Sequence, residues 1–259
     1  MVVTHSRAAA VDDRRRLPVP LLARLLRRFA LLAGVNLGLL ALLLFGLLGT
    51  GAGLGSLLAF GLYLVVNAVL LWGLIRNYPH ARLGLCNIVT HFRATLIAGL
   101  AAVLPNVAAV AGDPFLAWSV VAIAAIALAC DGIDGWAARR SGLISRFGAR
   151  FDMEVDSLLA LILALIVMQM GKVGDWVILL GIMRYLFVVA TWVFPWLNRS
   201  TPARFSGKLV CVIQIAALIA LIAPVVSGGA ALLIAAGALA GVVWSFGVDI
   251  RFLWQTRAA

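Results

Sequence analysis

Phe115 to Arg140 reads FLAWSVVAIAAIALACDGIDGWAARR. No formal charge occurs from Phe115 to Cys130, and two aspartates, Asp131 and Asp134, follow at once. Taken to Ala137, the stretch is long enough for a helix to cross a hydrocarbon core of about 30 Å at about 1.5 Å per residue. A carboxylate at such a boundary is costly unless it is neutralised or used. The segment is therefore predicted to be a membrane helix whose end carries chemistry.

The same pattern recurs along the chain. Apolar spans are read at 29–48, 53–75, 93–111, 115–137, 156–171, 175–195, 208–225 and 230–249, each closed by a polar or Gly/Pro break. A composition of 64% hydrophobic and 12% charged residues over 259 positions excludes a water-exposed surface. The fold class is all-α, a polytopic membrane helix bundle. With 25 Gly, the spans favour close helix packing. No internal repeat is evident, which counts against a secondary transporter.

The net charge of +11 is carried almost entirely by Arg, with Lys172 and Lys208 as the two lysines. The arginines sit at the ends of apolar segments and form no single footprint, so nucleic acid is excluded as a partner. Arg76, Arg82 and Arg93 fall in one break, Arg139, Arg140, Arg146 and Arg150 in another, and Arg199, Arg204 and Lys208 in a third. The intervening breaks hold one basic residue, Lys172. The positive-inside bias then places both termini in the cytoplasm, in a multi-pass protein of the cell inner membrane.

Residues 1–28 read as an Arg-rich cytoplasmic lead with a short interfacial helix near Val19 to Arg28. A secretory signal peptide does not fit, because the apolar stretch after Arg28 is long and a second follows at once. Cys86, Cys130 and Cys211 lack metal or disulfide spacing and read as small buried hydrophobes. The fifth span has only about 15 apolar residues, and it crosses only if its helix also takes in Asp152 and Asp156.

Half of the ten acidic residues lie between Asp131 and Asp156. Spacings of three and four put Asp131 with Asp134, and Asp152 with Asp156, on one helix face each. Four facing carboxylates repel unless a cation neutralises them, and an all-oxygen set suits Mg²⁺ or Mn²⁺. Glu154 points away from that face and is expected to meet water or an Arg. Gly135 lets a ligand approach, Gly148 ends or kinks the connecting segment, and Arg139 can face a phosphate on the metal.

The pattern Asp131-x2-Asp134-Gly135-x2-Ala138-Arg139-x8-Gly148-x3-Asp152-x3-Asp156 resembles the signature of the CDP-alcohol phosphatidyltransferases at every specified position. The resemblance covers roughly residues 84–250. It implies a six-helix catalytic domain over 76–259, with 29–75 as two additional N-terminal transmembrane helices. Asn87-x2-Thr90-x2-Arg93 resembles the family's opening of the first core helix, beside the nucleotide. The resemblance implies metal ligation by Asp131, Asp134, Asp152 and Asp156, with Asp156 as base toward the acceptor hydroxyl. It implies that Asn87, Thr90, Gly135, Ala138, Arg139 and Gly148 flank the CDP-linked substrate. Arg184, within an apolar span, together with Arg204 and Lys208, is expected to form a pocket for an acceptor phosphate. Ser206-Gly207-Lys208 and Gln214 resemble the family's segment in that region.

The implied reaction is metal-dependent transfer of a phosphatidyl group from CDP-diacylglycerol to an alcohol, with release of CMP. A phosphorylated polyol, such as glycerol 3-phosphate or an inositol phosphate, is the expected acceptor. Met153 and Ser157 stand where glycerol-phosphate enzymes of the family commonly carry Pro and Lys, which weakens that specific choice. Serine, choline, or transfer of a headgroup from a CDP-alcohol to diacylglycerol are the alternatives within the class. A cation transporter and a membrane scaffold are the alternatives outside it. The family often forms homodimers.

Overall fold

The computed structural model of the protein describes residues 18–49, 53–77, 84–141, 146–199 and 204–257, without the side chains at 47, 77, 86, 133–141, 146, 147 and 205. Most of the Arg-rich lead, together with Arg82 and the side chain of Cys86, lies outside them. The described residues form helices α1 (Val19–Ala41), α2 (Leu54–Asn77), α3 (Leu85–Ala101), α4 (Val107–Gly112), α5 (Pro114–Ser141), α6 (Arg146–Met170), α7 (Ile178–Val193), α8 (Phe205–Ile222) and α9 (Gly228–Gln255). Short 3₁₀ turns precede α4 and α7 and follow α7, and no strand occurs among the described residues. The expected all-helical membrane bundle is what is found.

Among the described residues, six stretches are long and apolar enough to cross a membrane: Val19–Gly46, Leu54–Arg76, Asn87–Gly112, Pro114–Gly132, Asp175–Val193 and Gly228–Gln255. The other two expected spans fall on α6 and α8, which differ from the rest. The first half of α6 carries Arg150, Asp152, Glu154 and Asp156, and the apolar stretch of α8 covers only Ser206–Ile222. As expected, the α6 helix takes in both Asp152 and Asp156.

Three boundaries differ from the sequence reading. Val19 to Arg28 is not a separate interfacial helix, because α1 runs unbroken from Val19 and continues as π turns through Leu47. Its proline, Pro20, sits in the first turn, where a missing N–H costs nothing. Gly148 does not break the chain before α6; it lies within the helix's first turn. The third span begins earlier than expected, so Arg93 is not a loop charge but a residue two turns inside α3.

Local chemistry accounts for the turns at the end of the bundle opposite the acidic residues. The Asp113 carboxylate accepts from the Phe115 N–H at 2.9 Å, ahead of Pro114 in the first turn of α5. Gly171 ends α6 with φ +67°, a conformation that favours glycine. Lys172, just beyond it, donates to the Ala223 carbonyl at 2.7 Å and so closes the end of α8. A Cβ on Gly181 would stand 2.8 Å from the Leu161 Cα, so only glycine lets α7 lie this close to α6.

α3 is the central helix. It packs against α1 and α2 on one side and against α5 and α6 on the other. Helix α6 in turn packs on α7 and α8, and α8 packs on α9.

Candidate active site

Two helices bring the acidic residues together. Asp131 lies near the end of the apolar run of α5, while Asp152 and Asp156 stand one turn apart on α6. Phe151, Val155 and Leu159 anchor the adjoining face of α6 in the core, which fixes the rotation of both aspartates. One carboxylate oxygen from each of Asp131, Asp152 and Asp156 lies within 4.8 Å of the others.

At the centre of this group is the Arg93 guanidinium, with no solvent exposure. Its Nη1 donates to Asp131 at 3.3 Å and to Asp152 at 2.7 Å, and its Nη2 donates to Asp156. The Nε–H is directed to the Ala127 carbonyl at 3.1 Å. One cation therefore ties α3 to α5 and α6 through charge-assisted bonds. In the sequence Arg93 counts as a flanking positive charge and closes the Asn87-x2-Thr90-x2-Arg93 opening expected beside the nucleotide, with no role toward the carboxylates. An Arg one helical turn after Thr90, in the first polar turns of a span, was the signal that could have found it.

The residues present fit a divalent cation. Three carboxylates against one guanidinium leave two net negative charges among the described groups, which one such ion would neutralise. Oxygen ligands at about 2.0–2.1 Å span about 4.2 Å across an octahedral Mg²⁺, so donors within 4.8 Å need close only slightly. The set is all oxygen, as Mg²⁺ or Mn²⁺ prefers.

The remaining expected residues are distributed as follows. Asp134, Gly135, Ala138 and Arg139 lie on α5, but their side chains are outside the described residues. Thr90 is buried on α3 one turn before Arg93, and Asn87 is half-buried a turn earlier. Gly148 is half-buried at the start of α6.

Asp156 faces a second feature as well. A cavity of about 350 Å³ opens between α6, α7, α8 and α9, within the size range of small-molecule pockets. Its polar lining includes Asp156, Arg184, Gln214 and Asp249, with Phe187 and Phe246 among the apolar walls. Gln214 is held in place by donating to the Leu180 carbonyl. Arg184 projects from the middle of α7, and its Nη2 donates to Glu154 at 2.5 Å. Its Nε is buried without a hydrogen-bond partner. Glu154 thus takes the Arg-paired role expected for it.

Arg204 and Lys208 stand at the start of α8. Arg204 pairs with Asp249 at 2.5 Å and with the Ser245 carbonyl at 3.2 Å, and it is not among the residues lining the cavity. Lys208 is exposed on the first turn of α8, near enough for its charge to act on Asp152. Arg204 is thus bonded to two residues, Asp249 and Ser245, that line the cavity together with Arg184. Asp249, Phe187 and Phe246 were not anticipated, since their partners lie on helices far away in sequence.

The family model of the CDP-alcohol phosphatidyltransferases matches residues 83–244. No curated protein and no solved structure matches the chain. The chain belongs to the CDP-alcohol phosphatidyltransferase family, and it is a multi-pass membrane transferase. The coarse activity follows from membership: transfer of a phosphatidyl group from a CDP-alcohol to an acceptor.

Proposed function

We propose, from that membership, that the protein transfers the phosphatidyl group of CDP-diacylglycerol to a small phosphorylated polyol and releases CMP. The observation that carries this reading is the position of Asp156, which belongs both to the acidic cluster and to the cavity containing Arg184. Donor and acceptor can then meet at one carboxylate.

Asp131, Asp152 and Asp156, with Asp134 beside them in sequence, would hold Mg²⁺ or Mn²⁺. Such an ion supplies charge neutralisation for the pyrophosphate and the departing CMP. Arg93 keeps the carboxylates gathered. Asp156 accepts the proton of the acceptor hydroxyl as its oxygen forms a bond to the phosphorus carrying diacylglycerol, and the bond from that phosphorus to the CMP oxygen breaks. Arg184 meets the acceptor's phosphate through its unpartnered Nε and orients the hydroxyl toward Asp156. Asn87, Thr90, Gly135, Ala138, Arg139 and Gly148 flank the nucleotide, while Arg204 and Lys208 shape the field at the cavity's rim. In this reading residues 76–259 are the catalytic unit, 29–75 are two added membrane helices, and both termini are cytoplasmic.

A second reading has a specific observation behind it. Asp249 and the Phe187–Phe246 ring pair, 5.6 Å apart, line the same cavity. A carboxylate beside aromatic faces suits an ammonium-bearing acceptor such as choline or serine. The test is CMP release by purified protein given CDP-diacylglycerol and Mg²⁺ with a panel of acceptors, with the lipid product identified. The first reading expects turnover with a phosphorylated polyol and little with its dephosphorylated form. Preference for an amino alcohol would replace the first reading with the second, and turnover only with a CDP-alcohol plus diacylglycerol would overturn both.

A further inference from the structure

The side of α3 away from the acidic cluster carries a second buried polar group. His91 is 1% exposed and Asn36, on α1, is 3% exposed. The imidazole Nδ1 lies 2.9 Å from Asn36 Nδ2, and Nε2 lies 3.0 Å from Asn67 Oδ1 on α2. Both amides use an N–H on the carbonyl four residues back, Asn36 to Leu32 at 3.1 Å and Asn67 to Tyr63 at 2.8 Å. Those bonds orient the amides, and the ring is then satisfied in its neutral form, accepting at Nδ1 and donating from Nε2. Phe29 and Tyr63 close the ring edge-on, with centroids 5.8 and 6.1 Å away. The Tyr63 hydroxyl is itself tied to the Ala33 carbonyl at 2.6 Å.

His91 precedes Arg93 by two residues, which is about 200° around a helix. The two side chains therefore leave α3 on opposite sides, one into the α1–α2 pair and the other into the acidic cluster. Apolar contact alone sets helix rotation weakly in a membrane, because lipid tails are as apolar as Leu. Directional bonds set it well. A second attachment lies farther along, where a Cβ on Gly55 of α2 would stand 2.3 Å from the Ala102 carbonyl, so the two backbones touch there.

We infer that the α1–α2 pair is a positioning element for the acidic centre: His91, clamped between Asn36 and Asn67, fixes the rotation of α3 and so holds Arg93 where it gathers Asp131, Asp152 and Asp156. His91, Asn36 and Asn67 are positioning residues and touch none of the carboxylates in this role. The inference rests on the metal reading above for its readout. Loosening the clamp turns α3, moves the guanidinium and spreads the oxygen donors. Loss of outer partners of a metal site typically weakens binding about 10- to 100-fold.

The test is Mn²⁺ binding to purified full-length protein, measured by loss of the free-ion spin-resonance signal, alongside thermal unfolding. H91L should raise half-saturating Mn²⁺ by about tenfold, and N36L and N67L, each leaving one ring bond, should raise it less. H91Q, whose amide offers one acceptor and one donor, should recover part of the loss. A folded H91L that binds Mn²⁺ as wild type does would overturn the clamp, as would failure of all three leucine variants to fold, because the network would then be structural only. Wild-type protein that takes up no Mn²⁺ would instead overturn the metal reading.

Discussion

Arg93 and Arg184 are both arginines inside apolar helices, and they are committed very differently. Arg93 is wholly buried and spends its guanidinium on three carboxylates and a carbonyl. Arg184 keeps about a third of its side chain exposed, pairs with one carboxylate and leaves its Nε without a partner at a cavity wall. A saturated cation organises the protein's own charges. An unsaturated one is what the proposed acceptor contact uses. The distance between these two settings is bridged by Asp156, which faces both.

The largest effect is expected at Arg93. R93A leaves three carboxylates facing one another, and loss of one partner of a buried pair costs about 3–5 kcal/mol, with the low end apt here because the acids keep some solvent access. Thermal unfolding in detergent should show that loss, with R93K recovering only part, since an ammonium cannot bridge as the planar fork does. A melting midpoint unchanged in R93A would break the contrast between the two arginines.

A smaller and more selective effect is expected at Arg184. R184A should raise the acceptor's apparent KM roughly 10- to 100-fold, in line with about 1.5–3 kcal/mol for charged hydrogen bonds, while leaving the response to CDP-diacylglycerol close to wild type. Paired saturation curves check this. A defect confined to CDP-diacylglycerol would move Arg184 to the donor side. The smallest change is expected for E154Q, which releases Arg184 from a mostly exposed partner. It should lower the acceptor KM by no more than about threefold, as befits an exposed ion pair.

Much of this was legible in the sequence for a physical reason: lipid penalises charge, so every charge within an apolar run is informative. The acidic turns of α5 and α6 and the mid-span Arg184 were found on that ground, and so was the helix that takes in Asp152 and Asp156. For Arg93 the count of loop charges and the Asn87-x2-Thr90-x2-Arg93 helix opening disagreed, and α3, which begins eight residues before it, agrees with the second and carries Asn87, Thr90 and His91 into the bundle. The clamp was missed because its members are 55 and 24 residues apart. Asn36 and Asn67, each interrupting an apolar span, were the available sign. Arg204 was assigned to the cavity from its spacing to Lys208, and its pairing with Asp249 lies 45 residues away.

The central claim is that one carboxylate, Asp156, joins the acidic cluster to the acceptor cavity and takes the proton. D156N keeps the shape and leaves an oxygen for Arg93 or a metal ion but removes the base. The measurement is the kcat for CMP release in D156N at saturating CDP-diacylglycerol and acceptor, with the acceptor KM from the same curves. With the base removed, kcat should fall about 10²- to 10⁴-fold with the acceptor KM changed little. Turnover within a few-fold of wild type would contradict it.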